Sequence, residues 1–264
     1  MQPLALIDGL GRATLQAAHQ LAALLRFAHE ALRPARLKDT WTDPARRGAV
    51  ATQLIFSGID ALPLTVLLAL AAGFALGSEL IALIDPLTDD RQTLDILVSF
   101  IGLEIAPLLT AFLLIARSGT AMAVELANMS HNRQLEGLQL LGVDPIAVLA
   151  TPRLLALALA QLGLSILFAT LALGSGIVFA ALGESISLFR LLPMLPAAVP
   201  VEALVLFVLR NLLYGLVIAA AACHQGMSCG RLGTEVPQHA QRAVVGALLT
   251  IFVLDGLFAM GSLA

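Results

Sequence analysis

Long apolar stretches alternate with short polar segments along most of the chain. A helix needs roughly 20 predominantly apolar residues to cross a bilayer, and five stretches reach that length. We therefore predict an all-α integral membrane protein with five transmembrane helices. The predicted spans lie at about 53–83, 96–118, 153–181, 201–223 and 243–262.

The first 47 residues follow a different pattern. Between residues 4 and 32, apolar residues recur at helical spacing, but polar and charged residues interrupt them before any run could cross a membrane. This pattern favours an amphipathic helix lying in the membrane interface, or else a soluble helix packed on a partner. Trp41 would then be an interfacial anchor. The chain thus divides into an N-terminal interfacial segment, 1–47, and a membrane domain, 48–264.

The composition agrees with a lipid environment. Of the 264 residues, 59% are hydrophobic and only 12% are charged, whereas soluble domains average about 25% charged residues. So few charged residues could not cover a surface that faces water. The composition therefore excludes a soluble globular protein.

The positive charges predict the orientation of the chain. With five spans, three segments lie on the same side of the membrane: the N-terminal segment and the connections between spans two and three and between spans four and five. These segments carry 12 of the 15 Lys and Arg residues. Because Lys and Arg are enriched in cytoplasmic segments, we predict a cytoplasmic N-terminus and a C-terminus on the opposite side.

The polar connection between the second and third spans, 125–145, has a helical period of its own. Its apolar residues would share one face of a short helix at about 129–142. Gly142 and Pro145 should end this helix, because glycine favours helix C-termini and proline disfavours helical geometry at the preceding residue. On the cytoplasmic face, such a helix could dock into a groove on a soluble motor; the alternative is a plain connecting loop. The apolar positions are Met129, Leu135, Leu138, Leu140 and Leu141.

Two charged residues, Glu104 and Arg210, fall well inside predicted spans. Intramembrane charges are costly and usually face a bundle interior or a watery cavity. One interpretation is that both line the path of an amphipathic substrate, with Arg210 meeting a phosphate. The other is that they pair with each other and only fix the packing of the helices.

The sequence offers no recognisable catalytic chemistry. The single lysine, Lys38, is not part of a G-x-x-x-x-G-K-[ST] motif, so no P-loop is expected. No nucleophile elbow or catalytic triad is visible. Cys223 and Cys229 are interpreted as free thiols, and the five His residues are scattered, so no metal site is expected. We predict no catalytic residue and no cofactor bound by this chain.

Several motifs resemble those of the MlaE/YrbE family of ABC-transporter permeases. Residues 104–111 (EIAPLLTA) and 116–121 (ARSGTA) are similar to the family's RELGPxLTA and AGRxGSA motifs. Residues 142–145 (GVDP) and 152–153 (PR) are similar to LGxDP and PRxxA. The resemblance follows the family's order over roughly residues 45–260, so the membrane domain is similar to an MlaE permease domain.

The sequence departs from the family pattern within the predicted coupling helix. The family's EQ pair is Arg133-Gln134 here, a reversal of charge, and Leu103 replaces the family's Arg before the Glu of the second span. An ATPase with a compensating acidic residue would explain the reversal, and so would a divergent paralogue within a heterodimer.

The resemblance implies a function and a set of partners. It implies a permease subunit that moves phospholipid or a similar hydrophobic lipid between a bacterial inner membrane and an MCE-domain protein. A cytoplasmic ABC ATPase would bind ATP and Mg, a second permease copy or paralogue would complete a dimer, and the C-terminus would be periplasmic. No nucleic-acid partner is expected.

The resemblance also implies roles for individual residues. It places ATPase coupling in the 125–145 connection, and it favours the lipid-path interpretation of Glu104 and Arg210, because the family often has a basic residue at the position of Arg210. The coupling residues would be Glu125, Met129, Arg133, Gln134, Leu135, Leu138, Leu141 and Asp144, and the residues that position the helices would be Arg117, Gly119, Pro145 and Arg153.

Two other functions stay open from the residues alone. The chain could be a membrane scaffold without transport activity, whose 125–145 segment docks a different cytoplasmic protein. It could also be an ion-coupled carrier that uses Glu104 and Arg210. Transport that depends on the proton gradient rather than on ATP would distinguish the carrier from the permease.

Overall fold

The structure, a computed structural model, describes residues 22–84, 90–183, 200–230 and 233–262. Its regular secondary structure is entirely helical within these ranges. The α-helices are α1 (22–31), α2 (Pro34–Thr42), α3 (Pro44–Ser57), α4 (Leu62–Ile84), α5 (Asp90–Leu97), α6 (Ala106–Leu114), α7 (Thr120–His131), α8 (Gln134–Leu140), α9 (Thr151–Gly183), α10 (Val201–Met227) and α11 (Glu235–Ser262).

Five of the described helical stretches are long and apolar enough to cross a membrane, which confirms the predicted number of spans. The second stretch continues as a helix well past the predicted end at 118, because backbone hydrogen bonding persists beyond the point where polar residues begin. Most of the predicted interfacial helix, 4–21, lies outside the described residues. The five stretches are Pro44–Leu80, Leu94–His131, Ile146–Val178, Val201–Met227 and Glu235–Met260.

Short segments of π-helix interrupt the second and third spans, at Val98–Ile105, Ile115–Gly119 and Ile146–Ala150. The first and third of these end two residues before Pro107 and Pro152. Proline has no N–H to donate within a helix, and a switch to i→i+5 bonding is one way to accommodate the missing donor. The N–H of Ala106, for example, bonds to the carbonyl of Ile101.

The described residues form two compact units. One combines the ranges Leu54–Leu114 and Ala158–Gly215. Its core includes Ile101 and Phe168, and α4 packs closely on α9. A Cβ atom built on Gly77 would lie 2.7 Å from the Cα of Gly176. Small residues thus bring the backbones of these two helices together, as is common in membrane bundles.

The other unit combines Met1–Gln53, Ile115–Leu157 and Leu216–Ala264. Within it, α7 packs along α11 and crosses α10 closely. A Cβ on Gly226 of α10 would lie 2.7 Å from the Cβ of Leu126 in α7. This unit contains the whole connection between the second and third spans, which is therefore anchored on a tightly packed group of helices.

Candidate functional site

The charged residues inside the spans form a hydrogen-bonded cluster. Arg210 is buried in α10, and its guanidinium donates to three acceptors of the same unit. Nε donates to the Tyr214 hydroxyl at 2.9 Å, Nη1 to the Leu103 carbonyl at 3.2 Å and Nη2 to Glu104 Oε2 at 2.9 Å. The Arg210–Glu104 pair considered in the sequence analysis is therefore present.

The Leu103 carbonyl is available to Arg210 because of the sequence around it. In an α-helix this carbonyl would accept a hydrogen bond from residue 107, but that residue is Pro107 and has no N–H. The carbonyl lies in the π-helical segment Val98–Ile105 and accepts from Arg210 instead. The proline of the EIAPLLTA run thus creates part of the arginine site.

A second polar group lies in the same unit and involves two amides. Gln161 of α9 donates through Nε2 to the Pro107 carbonyl at 3.0 Å and to Asn211 Oδ1 at 3.1 Å, while Asn211 Nδ2 donates to the Phe207 carbonyl at 2.8 Å. Both side chains are fully buried. The sequence analysis missed Gln161 and Asn211 because it searched the spans for charges; an amide within an apolar run was the available signal.

The two members of the ion pair differ in accessibility. The Arg210 side chain is buried, whereas the Glu104 side chain is 44% exposed. The Arg210 guanidinium is therefore enclosed by the protein, and the Glu104 carboxylate is the member of the pair that a bound molecule can reach. This differs from the interpretation in which Arg210 itself meets a phosphate.

The connection between the second and third spans contains two helices rather than the single helix predicted over 129–142. Helix α7 continues through Met129 to His131, and α8 begins at Gln134. Between them, Arg133 has φ 56°, in the left-handed region, which is uncommon for a residue other than glycine. The Arg133 N–H bonds to the carbonyl of Ser130 at 3.0 Å and closes the turn. Because of this turn, Met129 and Leu135 belong to different helices.

The end of α8 follows the expected glycine signal. Gly142 has φ 74°, and its N–H bonds to the carbonyl of Gln139 at 2.9 Å. The N–H of Val143 bonds to the carbonyl of Leu138 at 2.9 Å. These two bonds form a Schellman motif, in which a left-handed residue ends the helix.

The apolar residues of α8 separate into buried and exposed groups. Leu135 is buried and Leu138 is partly buried, so both help to attach α8 to the rest of the unit. Leu140 and Leu141 are 87% and 79% exposed. The exposed apolar surface of the connection is thus Leu140-Leu141, at the end of α8, while exposed Arg133 and Gln134 lie at its start.

Asp144 lies just before the third span and ties its start to the N-terminal segment. Its Oδ1 accepts the N–H of Ile146 at 3.0 Å, as a helix cap does. Its Oδ2 accepts two bonds from Arg36, from Nε at 3.0 Å and from Nη2 at 2.6 Å. Arg36 also donates to the Glu30 carbonyl. Both guanidinium bonds converge on one carboxylate oxygen, which leaves Oδ1 free to cap the helix.

Other contacts support this arrangement. Thr151 Oγ1 donates to the Ala31 carbonyl at 2.9 Å. Arg153 Nη2 pairs with Glu125 at 2.8 Å, and its Nη1 donates to the Leu149 carbonyl at 2.9 Å. Glu125 lies in α7 and Arg153 in α9, so the pair joins the two helices that enter and leave the connection.

The Arg36–Asp144 contact predicts a measurable coupling. We expect Arg36→Gln and Asp144→Asn each to destabilise the protein, and the double variant to lose less than the sum. Since Asp144 is half-exposed, the coupling should be about 1 kcal/mol. Asn keeps the capping oxygen, so the Asp144 change isolates the ion pair. The measurement is a double-mutant cycle on reversible unfolding in mixed micelles. A second cycle, which combines Asp144→Asn with Arg46→Gln, is the control. Additive losses in the cycle of Arg36 and Asp144 would contradict the contact.

The comparisons with known proteins identify the family. The family model for the permease MlaE matches residues 50–260. The chain belongs to the MlaE permease family. It is a multi-pass membrane protein.

Individual MlaE relatives are distant. The chloroplastic protein TRIGALACTOSYLDIACYLGLYCEROL 1 of Arabidopsis thaliana is 26% identical over 77% of this chain and 58% of its own length. A protein of Synechocystis named "Probable ABC transporter permease protein" is 29% identical over 57% of each chain. The intermembrane phospholipid transport system permease protein MlaE of Haemophilus influenzae is 24% identical over 77% of this chain and 78% of its own. The matches therefore span little more than half of the first two relatives.

The remaining positioning residues predicted from the MlaE resemblance lie close to the connection in sequence. Arg117 and Gly119 belong to the π-helical segment Ile115–Gly119, in which Arg117 is partly buried and Gly119 is buried. Gly119 lies beside small residues of α10 and α11, such as Ala222 and Ala243. Pro145 is buried and immediately precedes the π-helical segment Ile146–Ala150.

One group of side chains was not expected from the sequence. Cys229, Glu235 and His239 each place one possible metal-ligand atom so that all three lie within 4.8 Å of one another. The sequence analysis predicted no metal site because the histidines are scattered. The available signal was the i, i+4 spacing of Glu235 and His239 at the start of a helix, which places both on one face, shortly after a cysteine.

Proposed function

We propose that this chain is the permease subunit of an ABC transporter that moves phospholipid or a similar hydrophobic lipid. ATP and Mg would be bound by a separate ATPase subunit. The observation that carries the proposal is the match of the MlaE permease family over residues 50–260. The names of two relatives, which mention intermembrane phospholipid transport and an ABC transporter, support it.

In this proposal the ATPase docks on the connection between the second and third spans. Leu140 and Leu141 offer an exposed apolar surface that a groove on a soluble subunit could cover. Arg133 and Gln134 lie close by in sequence and are also exposed, so an acidic residue on the ATPase would suit this surface. Leu135 and Leu138 would hold α8 in place instead of contacting the ATPase.

Movement of the ATPase would then reach the membrane through defined contacts. Asp144 joins the segment between the second and third spans to Arg36, and the Glu125–Arg153 pair joins α7 to α9. A push on α8 would therefore change the tilt of the second and third spans together. In a permease dimer, that change would reshape a lipid cavity between the two copies.

Glu104 is the proposed lipid-facing member of the intramembrane pair. Its side chain is partly exposed, while Arg210 is engaged by three acceptors of its own unit. We assign Arg210 as a positioning residue that fixes the Glu104 carboxylate. A carboxylate in this place would favour the cationic part of a zwitterionic headgroup.

The proposed setting is a bacterial inner membrane with the N-terminus in the cytoplasm. The distribution of Lys and Arg supports this orientation. An MCE-domain protein would then receive or supply lipid on the periplasmic side.

The test is purification of the tagged full-length protein from its native membrane in mild detergent, followed by mass spectrometry of proteins and lipids. We expect an ABC ATPase, an MCE-domain protein and enriched phospholipid. A protein that purifies with an unrelated cytoplasmic partner and without ATPase or lipid would contradict the proposal and favour a membrane scaffold. Lipid transport that continues without ATP but stops without a proton gradient would favour a carrier.

A further inference from the structure

Three side chains with metal-binding atoms meet at the turn between α10 and α11. They are the thiol of Cys229, the carboxylate of Glu235 and the imidazole of His239, with one ligand atom from each within 4.8 Å of the others. None of them takes part in the coupling contacts or in the intramembrane cluster described above. Within the described part of the chain, these residues are the one group of three His, Cys, Asp or Glu side chains whose ligand atoms lie close enough to share a metal ion.

The backbone holds these residues in place from both sides. Helix α10 ends at Met227, and the hydroxyl of Ser130 in α7 donates to the Cys229 carbonyl at 2.8 Å. The Cys229 side chain packs with Ala127 and Val236. Glu235 starts α11 and His239 follows one helical turn later, so both project from the same face. The three groups therefore meet because α7 fixes the turn and α11 fixes the pair.

The cluster contains buried ligand atoms that form no hydrogen bond with the described residues. Cys229 is only 7% exposed. The Nδ1 atom of His239 is buried, with no hydrogen-bond partner among the described residues. The same holds for Nδ1 of His131, whose ring borders Gly233 in the same turn. Buried polar atoms without partners are uncommon and call for an explanation.

We propose that Cys229, Glu235 and His239 bind a zinc ion. Thiolate, imidazole and carboxylate are the three ligand types that zinc takes in proteins. A tetrahedral zinc ion holds its ligand atoms about 3.5 Å apart, which side-chain rotation can reach from the observed spacing. Three protein ligands leave a fourth position for water or for another nearby group.

The zinc ion would secure the turn between the fourth and fifth spans against α7. Cys229 follows α10, Glu235 and His239 belong to α11, and Ser130 links the turn to the end of α7. Helix α7 leads directly to the Arg133 turn and α8. The ion would thus restrict movement of α7, which supports α8, whichever partner binds to α8.

The test is metal binding by the full-length protein, purified in mild detergent with a tag that lacks histidine and freed of metal with a chelator. After dialysis against zinc, we expect about one tightly bound zinc ion per chain. Cobalt should give a thiolate-to-cobalt charge-transfer absorption. Cys229→Ser and His239→Gln should each weaken zinc binding at least tenfold and remove or alter this absorption.

Cys223→Ser is the matched control, because Cys223 is also buried but lies outside the cluster. It should bind zinc as the unchanged protein does. Two results would overturn the proposal. One is a cobalt complex of the unchanged protein without thiolate absorption, which needs no variant to fold. The other is equal loss of zinc in the Cys223→Ser and Cys229→Ser variants.

Discussion

Replacement of Arg210 by methionine is expected to lower the yield of folded protein several-fold and to lower its thermal midpoint. The change leaves the Glu104 carboxylate and the Leu103 carbonyl without the guanidinium that pairs with them. Loss of one partner of a buried pair costs about 3–5 kcal/mol. Because Glu104 is partly exposed, we expect about 3 kcal/mol, a large share of the ~5–15 kcal/mol that stabilises a typical protein. The measurement is the yield and thermal midpoint of detergent-purified protein.

Matched variants separate the charge from the packing. Arg210→Lys keeps the charge but cannot reach three acceptors in fixed directions, so its loss should be intermediate. The double variant Arg210→Met with Glu104→Met should be more stable than Arg210→Met alone, because no unpaired charge remains. If Arg210→Met were as stable as the unchanged protein, the pair would contribute nothing to the fold.

The same cluster separates stability from transport. Glu104→Gln keeps an acceptor for Arg210 and should fold, because an amide oxygen can replace the carboxylate oxygen. If the Glu104 carboxylate meets the lipid, this variant should transport lipid several-fold more slowly while keeping its ATPase partner. Normal transport by a folded Glu104→Gln protein would remove Glu104 from the lipid path.

The membrane architecture could be predicted because its signal is local. Each span is a run of apolar residues, and the length needed to cross a bilayer is fixed by the rise of the helix. The end of α8 could also be predicted from the sequence, since Gly142 takes the left-handed conformation that glycine favours. The break at Arg133 could not be predicted, because arginine rarely adopts the left-handed conformation and no residue type in the sequence indicates it.

The sites depended on contacts between distant residues, and these were harder to predict. The pairing of Glu104 with Arg210 could be posed only as an alternative, since 106 residues separate them. The Arg36–Asp144 contact, across 108 residues, was missed. In the sequence, Arg36 counts only as one of the Lys and Arg residues of the N-terminal segment, which predict the orientation of the chain. Periodicity identified the apolar residues of the connection, but only the fold distinguishes buried Leu135 from exposed Leu141.

That distinction determines which substitutions should detach the ATPase. We expect a variant with Leu140→Asp and Leu141→Asp to insert and fold normally, because both side chains are largely exposed and exposed substitutions usually change stability little. A partner groove that buries two leucines would lose about 3 kcal/mol or more, which weakens binding roughly a hundredfold. The ATPase should therefore be absent from the purified complex.

The control for this experiment lies in the same helix. Gln139 is exposed, polar and adjacent to Leu140, so Gln139→Asp adds one of the two negative charges that the leucine variant adds, without removing apolar surface. We expect Gln139→Asp to keep most of the ATPase, measured by co-purification and by ATP hydrolysis of the complex. If both variants lose the ATPase equally, charge near Arg133 governs docking. If the leucine variant keeps it, the ATPase binds elsewhere, and the assignment of α8 as the coupling helix is wrong.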